Sequence, residues 1–122
     1  MRQLKILFID DEPLICECFV DQFSDENVKI KTFADAEEAL KNIQQDRPDL
    51  IFLDYRMPGT RGDKLALRMP AEIPKFLITG ELEVHSEYHF LEVLPKPFNN
   101  DRVIEIIESY KKKLSDDDQL SF

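Results

Sequence analysis

Five polar residues stand where apolar runs end. Ile6-Leu7-Phe8-Ile9 runs into Asp10-Asp11, and Leu50-Ile51-Phe52-Leu53 runs into Asp54. Phe76-Leu77-Ile78 ends in Thr79-Gly80, and Phe90-Leu91-Glu92-Val93-Leu94 ends in Pro95-Lys96-Pro97. Short apolar runs bounded by turn residues read as buried strands. In an open parallel sheet the carboxyl ends of the strands meet at the ligand crevice. Three carboxylates, a hydroxyl and an ammonium would then share one crevice. A half-desolvated carboxylate at a strand end can serve as a nucleophile. Three carboxylates together repel one another and call for a cation. Mg²⁺ is a hard ion that takes one or two carboxylates and keeps several waters. Each residue alone has a plainer role. Asp10-Asp11 could cap a helix, Asp54 could form an Asx turn, and Thr79 and Lys96 could be ordinary strand ends. The set as a whole argues for chemistry.

The elements that must position this set alternate between strand and helix patterns. Leu4 to Ile9 reads as the first strand, and Pro13 suits the first turn of a helix. Leu14, Ile15, Cys18, Phe19 and Phe23 form that helix's expected apolar stripe. Val28, Ile30 and Thr32 mark a second strand near an edge. Asp35 with Glu38 reads as a capping box variant, opening a helix whose inner face is Ala36, Ala39, Leu40 and Ile43. After the third strand and the Pro58-Gly59 turn, Asp63 to Met69 predicts a short helix, stopped by Pro70 and Pro74. Lys75 to Thr79 reads as the fourth strand. Glu81 to Tyr88 could make about two helical turns, with a poor apolar face of Leu82, Val84 and Tyr88. Phe90 to Leu94 reads as the fifth strand. The last helix starts near Asn100, with Val103, Ile104, Ile107, Tyr110 and Leu114 inward. Alternating strands and helices imply a parallel sheet with right-handed crossovers, here five strands and five connecting helices in a doubly wound α/β sandwich.

Bulk properties narrow the classes. A chain of 122 residues is one domain on the size prior. The expected domain spans residues 1–114, with an acidic, disordered tail or linker over 115–122. The net charge of −9 argues against nucleic acid or an anionic membrane as a direct partner. Cys16 and Cys18 point in different directions on a helix, so reduced thiols are expected. No apolar run approaches membrane-spanning length and no signal peptide pattern follows Met1, which gives the cytoplasm as the expected location. A monomer or weak dimer is expected.

From Leu4 to Leu114 the chain resembles the receiver domain of two-component response regulators. The resemblance rests on Asp10-Asp11-Glu12, Asp54 with Met57-Pro58-Gly59 and Gly62, Thr79-Gly80, and Lys96-Pro97-Phe98. It implies a flavodoxin-like sheet of order 2-1-3-4-5. It also implies that Asp54 accepts a phosphoryl group from the phosphohistidine of a sensor kinase or histidine phosphotransfer protein. The implied Mg²⁺ ligands are Asp11, Asp54 and the Arg56 backbone carbonyl, with Asp10 acting through water. Lys96 and Thr79 would hold phosphoryl oxygens, Gly80 would leave the entrance open, and Lys96-Pro97 would be a cis peptide. The chain would be no enzyme beyond its own phosphorylation and dephosphorylation. The physical logic agrees, because phosphoryl transfer needs positioning and charge neutralisation more than covalent help.

Three departures from the family stand out. Val93 occupies the place of the usual switch aromatic, three residues before Lys96. The Thr79–Lys96 interval is short, which leaves the fourth helix truncated or irregular, and the Asp54–Thr79 interval is short as well. Arg56 and Glu81 stand two places after Asp54 and Thr79, where the family tunes hydrolysis, and opposite charges there could pair across the mouth. His85 and His89 are expected to be exposed on a short helix rather than to bind metal. The competing reading is an atypical receiver-like interaction module whose output does not depend on phosphorylation. An aspartate-nucleophile phosphatase would want a second acid where Arg56 stands. No helix-turn-helix pattern is left over outside the receiver region.

Overall fold

Strands that are apolar on every side need cover on both faces, as the central strands of a parallel sheet have. The computed structural model describes residues 2–120. In chain order the elements are β1 (Leu4–Ile9), α1 (Pro13–Phe23), β2 (Val28–Phe33), α2 (Ala36–Gln45), β3 (Leu50–Asp54), β4 (Arg56–Met57), β5 (Thr60–Arg61), α3 (Gly62–Ala66), β6 (Lys75–Thr79), β7 (Glu92–Pro95) and α4 (Asn100–Leu120). Every residue of β3 and β6 is buried, and all but one of β1. These three are the central strands of a five-stranded sheet of order β2-β1-β3-β6-β7, parallel throughout. With the sheet strands alone numbered, this is the expected 2-1-3-4-5 order. The chain steps outward from β1 to β2 and returns to β3 on the other side of β1. The crevice at that reversal lies at the carboxyl ends of β1 and β3.

One face of the sheet packs on α1 and α4. Phe8 stacks on Phe19 with ring centres 4.1 Å apart, and Phe52 stacks on Phe76 at 5.2 Å. The other face carries Leu7, Ile9, Leu53 and Leu77 against Ala39 and Ile43 of α2 and Leu65 and Ala66 of α3. The expected cap of α2 is present, with Asp35 accepting from the Glu38 amide at 3.0 Å. At the other end of α2, Lys5 of β1 and Lys31 of β2 both pair with Asp46, at 2.6 and 2.8 Å. Those hydrogen bonds, Lys31's first, hold the Asp46 carboxyl down at about 2.

Several expectations need correction. The described residues contain four helices, not five, because 81–91 forms no helix. Its apolar face is too poor for a helix: Leu82 is fully exposed, and the segment is held by polar contacts together with Val84, Tyr88 and Phe90 against the core. On α1 the inward residues are Cys16, Phe19 and Phe23, while Leu14 is 70% exposed and Cys18 is also exposed. Helical spacing alone left two neighbouring stripes to choose between, and the position of the sheet selects the one with Cys16. On α4, Ile106 is buried and Ile104 is exposed, because Val103, Ile106, Ile107 and Tyr110 form the stripe that meets β1 and β6. Finally, α3 ends at Ala66 rather than Met69, and the last strand starts at Glu92 rather than Phe90. Phe90 packs on Tyr88 instead, with ring centres 4.9 Å apart. Helical backbone in α4 continues through residues 115–120, the first part of the expected tail. Residues 121 and 122 lie outside the described residues.

Candidate functional site

Each strand delivers its residue to the same end of the sheet. Asp10 and Asp11 follow β1, Asp54 closes β3, Thr79 closes β6 and Lys96 follows β7. Asp10, Asp54 and Thr79 are buried, and Asp11 and Lys96 are half-buried. Oxygen atoms of Asp10, Asp11 and Asp54 lie within 4.8 Å of one another. Lys96 Nζ stands 3.2 Å from both Asp10 Oδ2 and Asp54 Oδ1. A backbone bond from Lys96 N–H to the Thr79 carbonyl, at 2.9 Å, locks that approach. The Lys96-Pro97 peptide is cis, as the resemblance implied.

Crowded charge shapes the electrostatics. Burial, and then the neighbouring Asp10 charge, raise the Asp54 carboxyl above its ordinary range; Lys96 opposes them and does not win. Burial works against the charge on Lys96, but Asp10 and Asp54 outweigh it and hold the ammonium above its usual value. Asp10 Oδ1 accepts from the Glu12 amide at 2.9 Å. Asp10 Oδ2 is buried and faces the Lys96 ammonium at 3.2 Å without a further partner among the described residues. One ammonium shared with Asp54 leaves two buried carboxylates short of positive charge, which a further cation would supply. With three oxygen donors converging, the residues fit a hard divalent ion such as Mg²⁺.

The turn after Asp54 is built to stay out of the way. Arg56-Met57 and Thr60-Arg61 pair as a small antiparallel hairpin, turned by Gly59 at φ +82°. Gly62 then passes so close that a Cβ there would sit 2.2 Å from the Asp54 carbonyl oxygen, so only glycine fits. Gly62 N–H donates to the Tyr55 carbonyl at 2.8 Å. At Gly80 a Cβ would meet Lys96 Cβ at an ordinary 3.9 Å, so the backbone there tolerates a side chain.

Arg56 and Glu81 do pair, with Nε 2.7 Å from the carboxylate. Glu81 N–H also donates to Thr79 Oγ1 at 3.0 Å, which links the pair to the hydroxyl in the site. Val93 lies on β7 and is 47% exposed. His85 and His89 are exposed on an irregular segment, with no helix to set them on one face. Among the described residues, the group of three or more ligating side chains suited to a metal is the aspartate cluster, and neither histidine belongs to it.

Two buried charged residues escaped the sequence reading. Asp63 is wholly buried beside Arg61, and Lys75 is 1% exposed beneath Tyr88. The signals were weak: a lysine opening an apolar strand, and an aspartate in the first turn of a short helix.

A family profile described as "Response regulator receiver domain" matches residues 6–108. The chain belongs to this family. The receiver domain is 37% identical over 116 residues to the nitrogen assimilation regulatory protein NtrX of Azorhizobium caulinodans, covering 84% of this chain and 25% of that one. It is 30% identical over 118 residues to sporulation initiation phosphotransferase F of Bacillus subtilis, covering 90% of this chain and 95% of that protein. The receiver domain thus spans a quarter of one relative's length and nearly all of the other's. Among solved structures, chemotaxis response regulator CheY4 of Vibrio cholerae aligns with TM-score 0.75 and 26% identity over 88% of this chain and 98% of that one. A signal receiver domain from Pseudomonas fluorescens Pf-5 aligns with TM-score 0.82 over 98% of this chain and 94% of that one; at 18% identity, that likeness speaks for the fold alone. No helix among the described residues of the receiver domain is long and apolar enough to cross a membrane.

Proposed function

We propose that this receiver domain, residues 1–114, accepts a phosphoryl group on Asp54 from a phosphohistidine donor in a cytoplasmic phosphorelay. The single observation that carries the reading is the convergence on Asp54 of Lys96 at 3.2 Å and of Asp10 and Asp11 within 4.8 Å. In the transfer, an Asp54 oxygen bonds to phosphorus as the phosphorus–nitrogen bond of the donor breaks. The electron pair leaves on the imidazole nitrogen. Lys96 neutralises one phosphoryl oxygen and the Thr79 hydroxyl donates to another. Asp11, Asp54, the Arg56 carbonyl and, through water, Asp10 would hold Mg²⁺, which supplies charge neutralisation on the phosphoryl oxygens. Arg56 and Glu81, paired over the mouth, restrict the water that would hydrolyse the aspartyl phosphate. Both phosphorylation and its reversal are carried by these residues of the domain itself.

A protein donor is supported by the surface beside the site. An apolar groove of about 600 Å³ runs from Leu14, Ile15 and Cys18 of α1 to Pro97 and Phe98, with Lys96 at its edge. Exposed apolar side chains next to the acceptor suit a phosphohistidine-bearing protein. The phosphorylation-independent reading has weaker support, because every acceptor-site group is present and assembled. The test is incubation with acetyl phosphate and Mg²⁺, read by intact mass. A one-phosphoryl adduct on the wild-type chain, absent from Asp54→Asn, is the expected result. No adduct under donor excess rejects the reading.

A further inference from the structure

Asp63 and Lys75 are buried charges outside the acceptor site, and both hold the irregular segment between β6 and β7. Lys75 fixes its far half. The Lys75 Nζ donates to the Pro70 and Ile73 carbonyls and to Tyr88 Oη at 3.1 Å, and the Leu91 amide donates to the Lys75 carbonyl at 3.1 Å. Asp63 fixes the segment one residue before Tyr88, at Glu87. Its Oδ2 accepts from the Glu87 amide at 2.8 Å, and its two oxygens accept from Arg61 at 3.0 Å each. A carboxylate taken fully out of water needs such partners to persist as an ion.

These contacts lead back to the acceptor. Arg61 lies on β5, directly paired with Arg56 on β4. The buried Tyr55 ring is flanked by both guanidinium groups, 5.1 Å from Arg56 and 5.7 Å from Arg61. Arg56 reaches Glu81, and the Glu81 amide rests on Thr79 Oγ1. The hairpin after Asp54 is therefore tied to the segment after Thr79 twice: directly at Glu81, and through Asp63 at Glu87. An exposed pair such as Arg56–Glu81 is weak alone. A buried tether that holds its backbone in place lowers the entropy lost in forming it.

We propose that Asp63 is a positioning residue of the acceptor site, clamping the segment after Thr79 so that Glu81 stays paired with Arg56 over the mouth. This rests on the phosphoacceptor reading of Asp54. The step it slows is hydrolysis. A water oxygen attacks phosphorus, the Asp54 oxygen–phosphorus bond breaks with its electron pair returning to the carboxylate, and the water's protons go to the departing phosphate and solvent. Lys75 holds Tyr88 and Leu91 through its own contacts, so loss of the Asp63 link releases the stretch from Glu81 to Glu87 and leaves residues 88–91 seated.

The test uses the full chain as wild type, Asp63→Asn, Glu81→Gln and the double variant. Each is loaded with acetyl phosphate and Mg²⁺, the donor is removed, and adduct decay is followed by intact mass. Hydrogen exchange of the amides in 81–91 is measured on the unloaded proteins. Asp63→Asn is expected to speed exchange in that segment and to speed adduct decay about five-fold, the size of one contact-level coupling. The double variant is expected to decay no faster than Glu81→Gln. Multiplying effects in the double variant, or unchanged exchange in Asp63→Asn, overturns the clamp. A merely structural Asp63 would lower the melting temperature without the dependence on Glu81. Should Asp63→Asn fail to fold, Arg61→Lys, which keeps the charge but loses the planar fork, is expected to move decay in the same direction by less, and no change overturns the clamp. Absence of an adduct on wild type rejects the acceptor reading and this proposal with it, whereas an adduct with unchanged decay in Asp63→Asn rejects the clamp alone.

Discussion

Asp54 stands in an environment that is unfavourable to its own charge. Burial and the Asp10 carboxylate both raise its carboxyl above the ordinary range, and one half-buried ammonium serves two acids. The proposed acceptor chemistry is held at a cost to stability, as functional sites often are. Removing one carboxylate should relieve it. Asp54→Asn is expected to stabilise the metal-free protein by about 1 kcal/mol, seen as a higher melting temperature at neutral pH. Mg²⁺ at ten times its Kd is expected to stabilise the wild type by about 1.4 kcal/mol and Asp54→Asn by less than half of that. A metal-free Asp54→Asn protein less stable than wild type would contradict this account.

Elements set how close these residues come. The hairpin of β4 and β5 turns the chain within reach of Asp54 because Gly62 has no Cβ, which would sit 2.2 Å from the Asp54 carbonyl oxygen. That obstacle is backbone, which cannot swing aside like a flexible side chain. Gly62→Ala is expected to cost about 1–3 kcal/mol in urea unfolding, with slower adduct formation from acetyl phosphate. Unfolding at the wild-type midpoint would show that the hairpin moves freely. The same close approach sets Arg56 of β4 and Arg61 of β5 over the Tyr55 ring and so ties the hairpin to the end of β3.

For the whole molecule, the proposed acceptor site lies beside an exposed apolar surface. Leu14 is 70% exposed on α1, and the groove it borders reaches Lys96. The orientation of α1 decides this, since it turns Cys16 and Phe19 inward and leaves Leu14 at the rim. Leu14→Glu is expected to slow phosphotransfer from a histidine-phosphorylated protein about ten-fold, the effect of losing about 1.4 kcal/mol of binding. Its rate with acetyl phosphate should match wild type, because a small donor needs no groove. Equal slowing with both donors would place the effect in the site itself.

Much of this was legible from the chain. Apolar runs ending in Asp10, Asp54, Thr79 and Lys96 determine the buried parallel strands, and a parallel sheet brings those ends together. The cap at Asp35 and the Arg56–Glu81 pair were also readable, because each depends on short, local spacing or on two strand ends already placed. The inward stripe of α1 and the choice of Ile106 over Ile104 were not, because helical period leaves rotation about the axis to be set by the sheet. The region 81–91 lay further out of reach. Sequence showed a poor helix there, but what replaces it depends on Asp63 and Lys75, whose partners are distant along the chain. The partners of Asp63 and Lys75 come from the fold and not from neighbouring residues, so their role was decided by tertiary structure alone.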